Sequence, residues 1–231
     1  MPTNPLLEAM QTDLQTLRKL VRQGEGLHLE FKLKTTHPEK IVREIVAFAN
    51  TEGGQLLIGV SDDRQIYGAK FPDEDEYVLQ KAIQEYCSPP IDFTMERIPL
   101  GEDTEREVLL FDIKKSKQMP HHITKGDDKG KVYVRVADRS IQASKEMRTI
   151  LKESRKDKQF RFNYGEKEQK LMSYLAVHSF ITVAKFAEVA GIAHKTASRT
   201  LVLLCLANVL RIQAHEDEDL FVLVENLEAV K

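Results

Sequence analysis

Between Ile41 and Val60 the sequence leaves the backbone few options. Ile41, Ile45, Val46 and Phe48 recur at helical spacing, Asn50-Thr51-Glu52-Gly53-Gly54 closes that helix, and Gln55 to Val60 is a nearly continuous apolar run of strand length. A run of that kind is the pattern of a strand buried on both faces. Thr36-His37-Pro38-Glu39 opens the helix, with Pro38 at the first helical position, where a missing N–H leaves no bond unmade. The two glycines at the junction permit positive φ and let the strand begin close beneath the helix end, so the block reads first as structure and second as a ligand loop. The strand ends at Ser61-Asp62-Asp63, which sets two acids at a strand end.

The flanking segments extend this into an α+β domain. Leu6, Leu7, Met10, Leu14, Leu17 and Val21 form the stripe of an amphipathic helix that stops at Gln23-Gly24. From Leu27 to Leu33 the residues alternate, with Leu27, Leu29, Phe31 and Leu33 on one side and His28, Glu30 and Lys32 on the other, the period of a half-buried strand with a polar face. A helix from Glu74 to Tyr86 is broken by Ser88-Pro89-Pro90. Strands are expected at Ile91 to Ile98, Glu107 to Lys114 and Lys131 to Val136, the last two joined by a polar, basic connection. A charged helix from Ala143 to about Arg161 leads into a linker, whose Phe160, Phe162 and Tyr164 are expected to pack one domain against the other.

After Gly165 the pattern turns helical. Glu166 to His178, Thr182 to Ala190 and Lys195 to Val209 each carry an apolar stripe, with Gly191 in the turn between the second and third. Two short strands, Leu210 to Gln213 and Leu220 to Val224, flank an acidic turn. Three helices and a wing make a winged helix-turn-helix. The expected organisation is an N-terminal helix over residues 1–22 packed on a mixed-sheet domain over 23–152, a basic linker over 153–165 and a small winged helix-turn-helix over 166–231.

Composition narrows the function classes. With 42% hydrophobic and 30% charged residues among 231, the chain can bury ordinary cores under a solvated surface. No apolar run approaches the roughly 20 residues that cross a bilayer. The opening MPTNPLLEAMQTDLQ has neither the basic region nor the apolar core of a signal, so the expectation is a cytoplasmic chain without membrane contact. Cys87 and Cys205 sit in separate domains within apolar helical patterns and read as buried thiols, not as a disulfide or metal pair. The net charge of −2 hides a segregation: seven Lys or Arg face three acids between Lys145 and Arg161, while Glu216 to Asp219 is a solid acidic run. Local basic surface, not the sum, decides phosphate binding, so nucleic acid stays open as a partner.

Three blocks carry a resemblance. They are Glu25-Gly26-Leu27-His28-Leu29-Glu30-Phe31-Lys32, the stretch from Ile45 through Gly53-Gly54 to Asp63, and Val132-Tyr133-Val134-Arg135-Val136-Ala137-Asp138-Arg139-Ser140 followed by Ala143-Ser144. In that order they resemble the Schlafen-like AlbA-type (AlbA_2) domain family, over about Leu14 to Leu151. The resemblance implies a sheet-based fold that binds nucleic acid, found in bacterial proteins described as transcriptional regulators and often fused to a helix-turn-helix. The expected function is a DNA-binding regulator, a homodimer, in which the first domain supplies backbone affinity and the winged helix sequence choice. RNA is the second candidate ligand. No G-x-x-x-x-G-K-[ST] is present, and the nearest string, Gly126-Asp127-Asp128-Lys129-Gly130-Lys131-Val132, has the wrong spacing, so hydrolysis by a P-loop is excluded.

The resemblance also implies an alternative, because some mammalian Schlafens are endoribonucleases that use three acids. Glu25, Glu30 and Asp62 or Asp63 occupy matching places, and a carboxylate cluster can hold Mg²⁺ or Mn²⁺ against a scissile phosphate. Those enzymes build their groove from two copies of the domain, so a homodimer would have to supply the second wall. Outside that alternative no cofactor is expected. A third reading is a scaffold whose winged helix dimerises or joins partner proteins.

For phosphate contact the first domain offers Lys114, Lys115, Lys117, Lys125, Lys131, Arg135 and Arg139, which bracket or flank strands of one sheet. His121-His122 reads as loop chemistry or a phosphate contact, since adjacent residues on an extended segment point opposite ways and make a poor metal pair. In the second domain the N-terminal half of the recognition helix offers His194, Lys195, Thr196, Ser198 and Arg199, with Lys195 and Arg199 one turn apart on one face. Leu201, Leu203, Leu204 and Leu206 belong to the core or to a dimer contact. Glu216-Asp217-Glu218-Asp219 would set four negative charges where a wing meets phosphate.

Overall fold

The computed structural model describes residues 5–102, 104–156 and 160–224, with side chains from Leu14 onward. Expectations that fall on residues 1–4, 157–159 and 225–231, and on the side chains of Leu6, Leu7 and Met10, lie outside the described residues. The chain divides into two units, one ending at Ser140 and one beginning at Ile141.

In the first unit α1 (Pro5–Gln23) precedes β1 (Leu29–Lys32), α2 (Pro38–Asn50) and β2 (Gly54–Ile58). The last two are the helix–glycine–strand block of the sequence. α3 (Pro72–Tyr86) runs into the two-residue strand β3 (Cys87–Ser88), and β4 (Phe93–Pro99), β5 (Glu107–Ile113), β6 (His122–Ile123) and β7 (Tyr133–Val136) follow. A mixed sheet runs in the order β1-β2-β5-β4, parallel between β1 and β2 and antiparallel at the other pairings. β3 and β6 pair separately as an antiparallel ribbon inside what the sequence reads as plain connection.

Period-two alternation along the strands builds two cores. Leu56, Ile58, Leu109 and Phe111 meet Ile45 and Phe48 of α2 and Leu79 and Ile83 of α3 on one face of the sheet. Leu29, Phe31, Leu57 and Val108 meet Leu17 and Val21 of α1 on the other. β2 is thus covered on both sides, as its unbroken apolar run requires, and each fully buried Leu, Ile or Phe stabilises the unit by about 1.5–3 kcal/mol.

The glycine block is packing. A Cβ on Gly53, whose φ is +75°, would lie 2.7 Å from the Ile113 carbonyl oxygen, and one on Gly54 would lie 2.4 Å from the Phe48 ring. Asn50, the last residue of α2, is buried and saturated. Its Oδ1 accepts from the His121 N–H at 2.7 Å, and its Nδ2 donates to the carbonyls of His121 at 2.9 Å and Tyr133 at 3.0 Å. It ties the helix end to β7 and to the chain entering β6.

β8 (Arg139–Gln142) carries the chain from the first unit to the second. There α4 (Lys145–Ser154), α5 (Glu166–Leu175), α6 (Val183–Ala190) and α7 (His194–Leu206) are followed by an antiparallel hairpin of β9 (Leu210–Gln213) and β10 (Leu220–Leu223). Two expectations are corrected at α4. The helix stops at Ser154 instead of near Arg161, and it groups with the second unit, packing on α7, instead of closing the first domain at residue 152. Gly191 ends α6 with φ +67°, the left-handed conformation that a Cβ disfavours. Leu171, Leu175, Phe186, Leu201, Leu204 and Phe221 form this unit's core, Phe162 packs on it, and Tyr164 is exposed.

Cys87 and Cys205 are free thiols in separate units, and burial pushes each up to about 12. No single helix among the described residues is long and apolar enough to cross a membrane. Asn50→Ala would strand the His121 N–H and two buried carbonyls, so urea unfolding of the full chain should show a loss of about 3 kcal/mol. A loss under 1 kcal/mol would mean the bonds are not what fixes this junction.

Candidate nucleic-acid interface

Arg135, expected among the phosphate contacts, faces inward, and its side chain has no exposed surface. Nη2 donates to Glu30 Oε2 at 2.5 Å and to the Leu29 carbonyl at 3.3 Å, and Nη1 to Glu44 Oε2 at 2.7 Å and Ser140 Oγ at 3.4 Å. Nε donates to the Gly26 carbonyl at 3.1 Å, and the guanidinium lies 5.0 Å from the centroid of the Phe48 ring. At Glu30 the polar side of β1 is therefore not solvated, while Lys32 is half-buried. Glu30 is buried beneath α2 and β7, because Arg135 supplies the charge that lets a carboxylate leave water. Burial and the charge of Glu30 raise the Glu44 carboxyl above its ordinary value, against the Ser140 hydroxyl and Arg135.

Glu25 stands at the entry to β1, where its Oε1 accepts the Phe31 N–H at 2.8 Å. Burial raises its pKa most and the Phe31 bond lowers it; Glu30 raises it, Lys32 lowers it and Asp62 raises it again. Glu25, Glu30 and Asp62 thus share a neighbourhood, but Glu30 is engaged by Arg135 and Lys32, and Asp63 accepts from the Ser61 hydroxyl. Among the described residues no group of three or more His, Cys, Asp or Glu could hold a metal, so these acids do not fit Mg²⁺ or Mn²⁺.

The expected lysines lie at the surface, each beside an acid except one. Lys114 pairs with Asp112, Lys115 with Glu52 at 2.9 Å, Lys125 with Glu85 at 2.9 Å and Lys131 with Asp128 at 2.7 Å. Lys117 is exposed without a carboxylate partner among the described residues, and Arg139 is exposed at the start of β8. The pairs of Lys114, Lys115 and Lys125 are solvated and contribute about 0–1 kcal/mol, so a phosphate can replace the carboxylate; Asp128 is instead buried and also held by Arg43, which ties Lys131 to the fold. His121 is a further correction. It is buried, its Nδ1 lies 2.8 Å from the Pro89 carbonyl and so carries the proton, and burial lowers its pKa, which leaves it neutral and out of reach of phosphate. His122 is half-buried in the β3–β6 ribbon.

In the second unit the structure brings most of the expected contact residues together. His194, Lys195, Ser198 and Arg199 of α7 line a groove of about 1100 Å³ with Lys145 and Glu146 of α4 and with Phe160. Ser198 donates to Glu146 Oε1 at 2.5 Å, and neither Lys195, Arg199 nor Lys145 has a carboxylate partner among the described residues. Thr196 is exposed on α7 outside this lining. Leu201 and Leu204 are core, whereas Leu203 and Leu206 border the groove. Sequence reasoning missed Lys145 and Phe160, although the excess of cations between Lys145 and Arg161 pointed at that segment.

The acidic turn is partly absorbed by the fold. Asp219 is buried and accepts from the hydroxyl of Ser144, whose oxygen in turn caps α4 by accepting the Met147 N–H. Glu218 Oε1 accepts the Ala184 N–H at 3.2 Å in the first turn of α6, where a helix favours negative charge.

Two predictions follow from these buried groups. Arg135→Met leaves Glu30 and Glu44 without their common partner and should lower unfolding stability by about 3–5 kcal/mol in urea titration. An unchanged midpoint would show that the ion cluster is not structural. Burial raises the Asp219 carboxyl, so the stability it contributes is present below the ordinary carboxylate range and lost as pH rises through its raised folded value. Asp219→Asn keeps an acceptor for Ser144 without the charge. Its melting temperature should match the wild type near pH 4 and exceed it near pH 7, by roughly 2–4 °C for each kcal/mol of strain removed; a difference independent of pH would contradict this.

The whole chain is similar to the crystal structure of the DIP2311 protein from Corynebacterium diphtheriae at 16% identity and a TM-score of 0.46, an alignment that covers 96% of this chain and 39% of that one. The chain therefore spans well under half of that protein's length. The family described as Schlafen, AlbA_2 matches residues 25–144, more than half of the chain, from Glu25 at the entry of β1 to the α4 cap Ser144. Membership suggests a nucleic-acid-binding function. On that match, the chain belongs to the Schlafen AlbA_2 family.

Proposed function

We propose that the second unit is a winged helix-turn-helix that reads duplex DNA, and that the chain is a DNA-binding transcriptional regulator, a cytoplasmic homodimer that needs no cofactor. The observation that carries this reading is the shared groove of α7 and α4, where Lys145, Lys195 and Arg199 have no ion-pair partner among the described residues and the lining acid Glu146 accepts from Ser198. An exposed, positively charged first turn is what a recognition helix presents to base edges in the major groove. Lys145, at the start of α4, then meets the flanking phosphates, helped by the positive end of that helix. β9, β10 and the turn between them form the wing, and with Asp219 buried, fewer charges oppose the backbone than the sequence suggests. In the AlbA_2 domain, Lys114, Lys115, Lys117, Lys125, Lys131 and Arg139 supply affinity that is indifferent to sequence.

Selection from a pool of duplexes, followed by anisotropy titration of a selected and a scrambled site, tests the reading. Affinity should fall steeply with salt, and Lys195→Ala/Arg199→Ala should reduce the preference for the selected site about tenfold or more while leaving scrambled-site binding nearly intact. Lys145→Ala should weaken both duplexes alike and lower the salt slope by about one. Absence of salt-sensitive binding to any duplex would refute the proposal.

A further inference from the structure

A second groove, of about 540 Å³, opens in the first unit at the carboxyl ends of the parallel strands β1 and β2, where ligands gather in open sheets. Lys34 follows β1, Tyr67, Lys70 and Phe71 close the loop after β2, and Arg106 immediately precedes β5. Tyr67 is 51% exposed and Phe71 55% exposed, and the two rings border one groove instead of standing scattered. The Lys70 ammonium lies 5.1 Å from the centroid of the Phe71 ring. None of the three cations has a carboxylate partner among the described residues; Arg106 Nη1 donates only to the carbonyls of Tyr67 and Gly68, at 3.3 Å each. The acid in the lining, Asp75, accepts from the Thr35 hydroxyl. Nearby Asp73 and Glu76 are held by Arg97.

The loop that carries the rings is held rigidly. The Gly59 carbonyl accepts from the N–H groups of Tyr67 and Gly68 at 2.9 Å each, and the Ala69 N–H donates to the Glu107 carbonyl at 2.7 Å. Gly59, with φ +98°, and Gly68, with φ +70°, admit no Cβ without clashes under 3 Å. Exposed rings on a fixed support, interleaved with unpaired cations, match one ligand chemistry: bases that are free to stack, joined by phosphates. A duplex keeps its bases stacked on one another and could use the cations alone.

We propose that this groove binds a single-stranded stretch of nucleic acid, with unpaired bases stacked on Tyr67 and Phe71 and phosphates on Lys34, Lys70 and Arg106. The site is separate in sequence and in ligand from the α7 groove, so either reading can fail without the other.

Anisotropy titrations of the full chain with labelled dT12, rU12, an abasic dodecamer and a blunt duplex test it. At least one of dT12 and rU12 should bind about tenfold or more tightly than the abasic strand, and the tighter of the two identifies the preferred sugar. Tyr67→Ala/Phe71→Ala should remove that advantage with less than a twofold change for the duplex, and Tyr67→Phe/Phe71→Tyr should restore it. Crosslinking of 4-thiothymidine-substituted dT12 to the wild type should map to Tyr67 or Phe71, which needs no variant to fold. Equal binding of abasic and base-bearing strands would overturn the proposal. So would loss of single-strand binding in Lys195→Ala/Arg199→Ala but not in the aromatic variant.

Discussion

A guanidinium with no exposed surface sits where β1, α2 and β7 meet, and the first unit is arranged around it. Taking a charge of that size out of water costs several kcal/mol, and two carboxylates offset it only if the geometry is good and the remaining donors are satisfied. Here all five N–H groups of Arg135 have acceptors, from Glu30, Glu44, Ser140 and the carbonyls of Gly26 and Leu29. The pairs join residues 105 and 91 positions apart, so the cluster also fixes which face of β1 turns toward α2. A one-residue slip of that strand would carry Glu30 to the α1 side and Phe31 into the ion pairs.

That arrangement decides which charges are left for a ligand. Glu30, Glu44 and Arg135 satisfy one another, and so stand outside both metal chemistry and phosphate contact. The cations at the candidate contact sites differ in what already holds them. Lys114, Lys115 and Lys125 sit in solvated pairs that a phosphate can compete for, and Lys131 is held by the buried Asp128, whereas Lys34, Lys70, Arg106, Lys145, Lys195 and Arg199 have no carboxylate partner among the described residues. These six line the two grooves. Anion affinity is greatest where no carboxylate must first be displaced, which favours the grooves over the basic connection that the sequence pointed to.

How much of this was legible follows from the range of each interaction. Patterns that repeat within one element are local, so α2, β2, α6, α7 and the β9–β10 hairpin could be placed to within a few residues. The Gly53-Gly54 junction was read correctly as packing, because a glycine pair after a helix has few other uses. Glu30 misled because alternation marks a residue as facing away from the leucines, not as facing water. Only Arg135, far along the chain, decides that. The ribbon of Cys87–Ser88 with His122–Ile123 is too short to leave a period, and its absence from the reading made His121 look like a surface residue. Tyr67 and Phe71 carried no signal either, since an isolated aromatic in a loop looks the same buried or exposed.

α4 shows where a boundary drawn from sequence matters most. The family match ends at Ser144, the second unit begins at Ile141, and the helix that starts at Lys145 packs on α7. Two parts of the second unit therefore come from residues that a division at 152 assigns to the first domain. Ser144 is the hydroxyl partner of buried Asp219, and Lys145 lines the α7 groove. A fragment starting after residue 152 would keep all of α5, α6, α7 and the hairpin, yet it would leave the Asp219 carboxylate without its donor and uncover the side of α7 that α4 packs against. The segment between the sheet and the three-helix array is thus not a spacer. It completes one unit's polar interior and the wall of its groove, which is why its charge stands out in the sequence although no motif marks it.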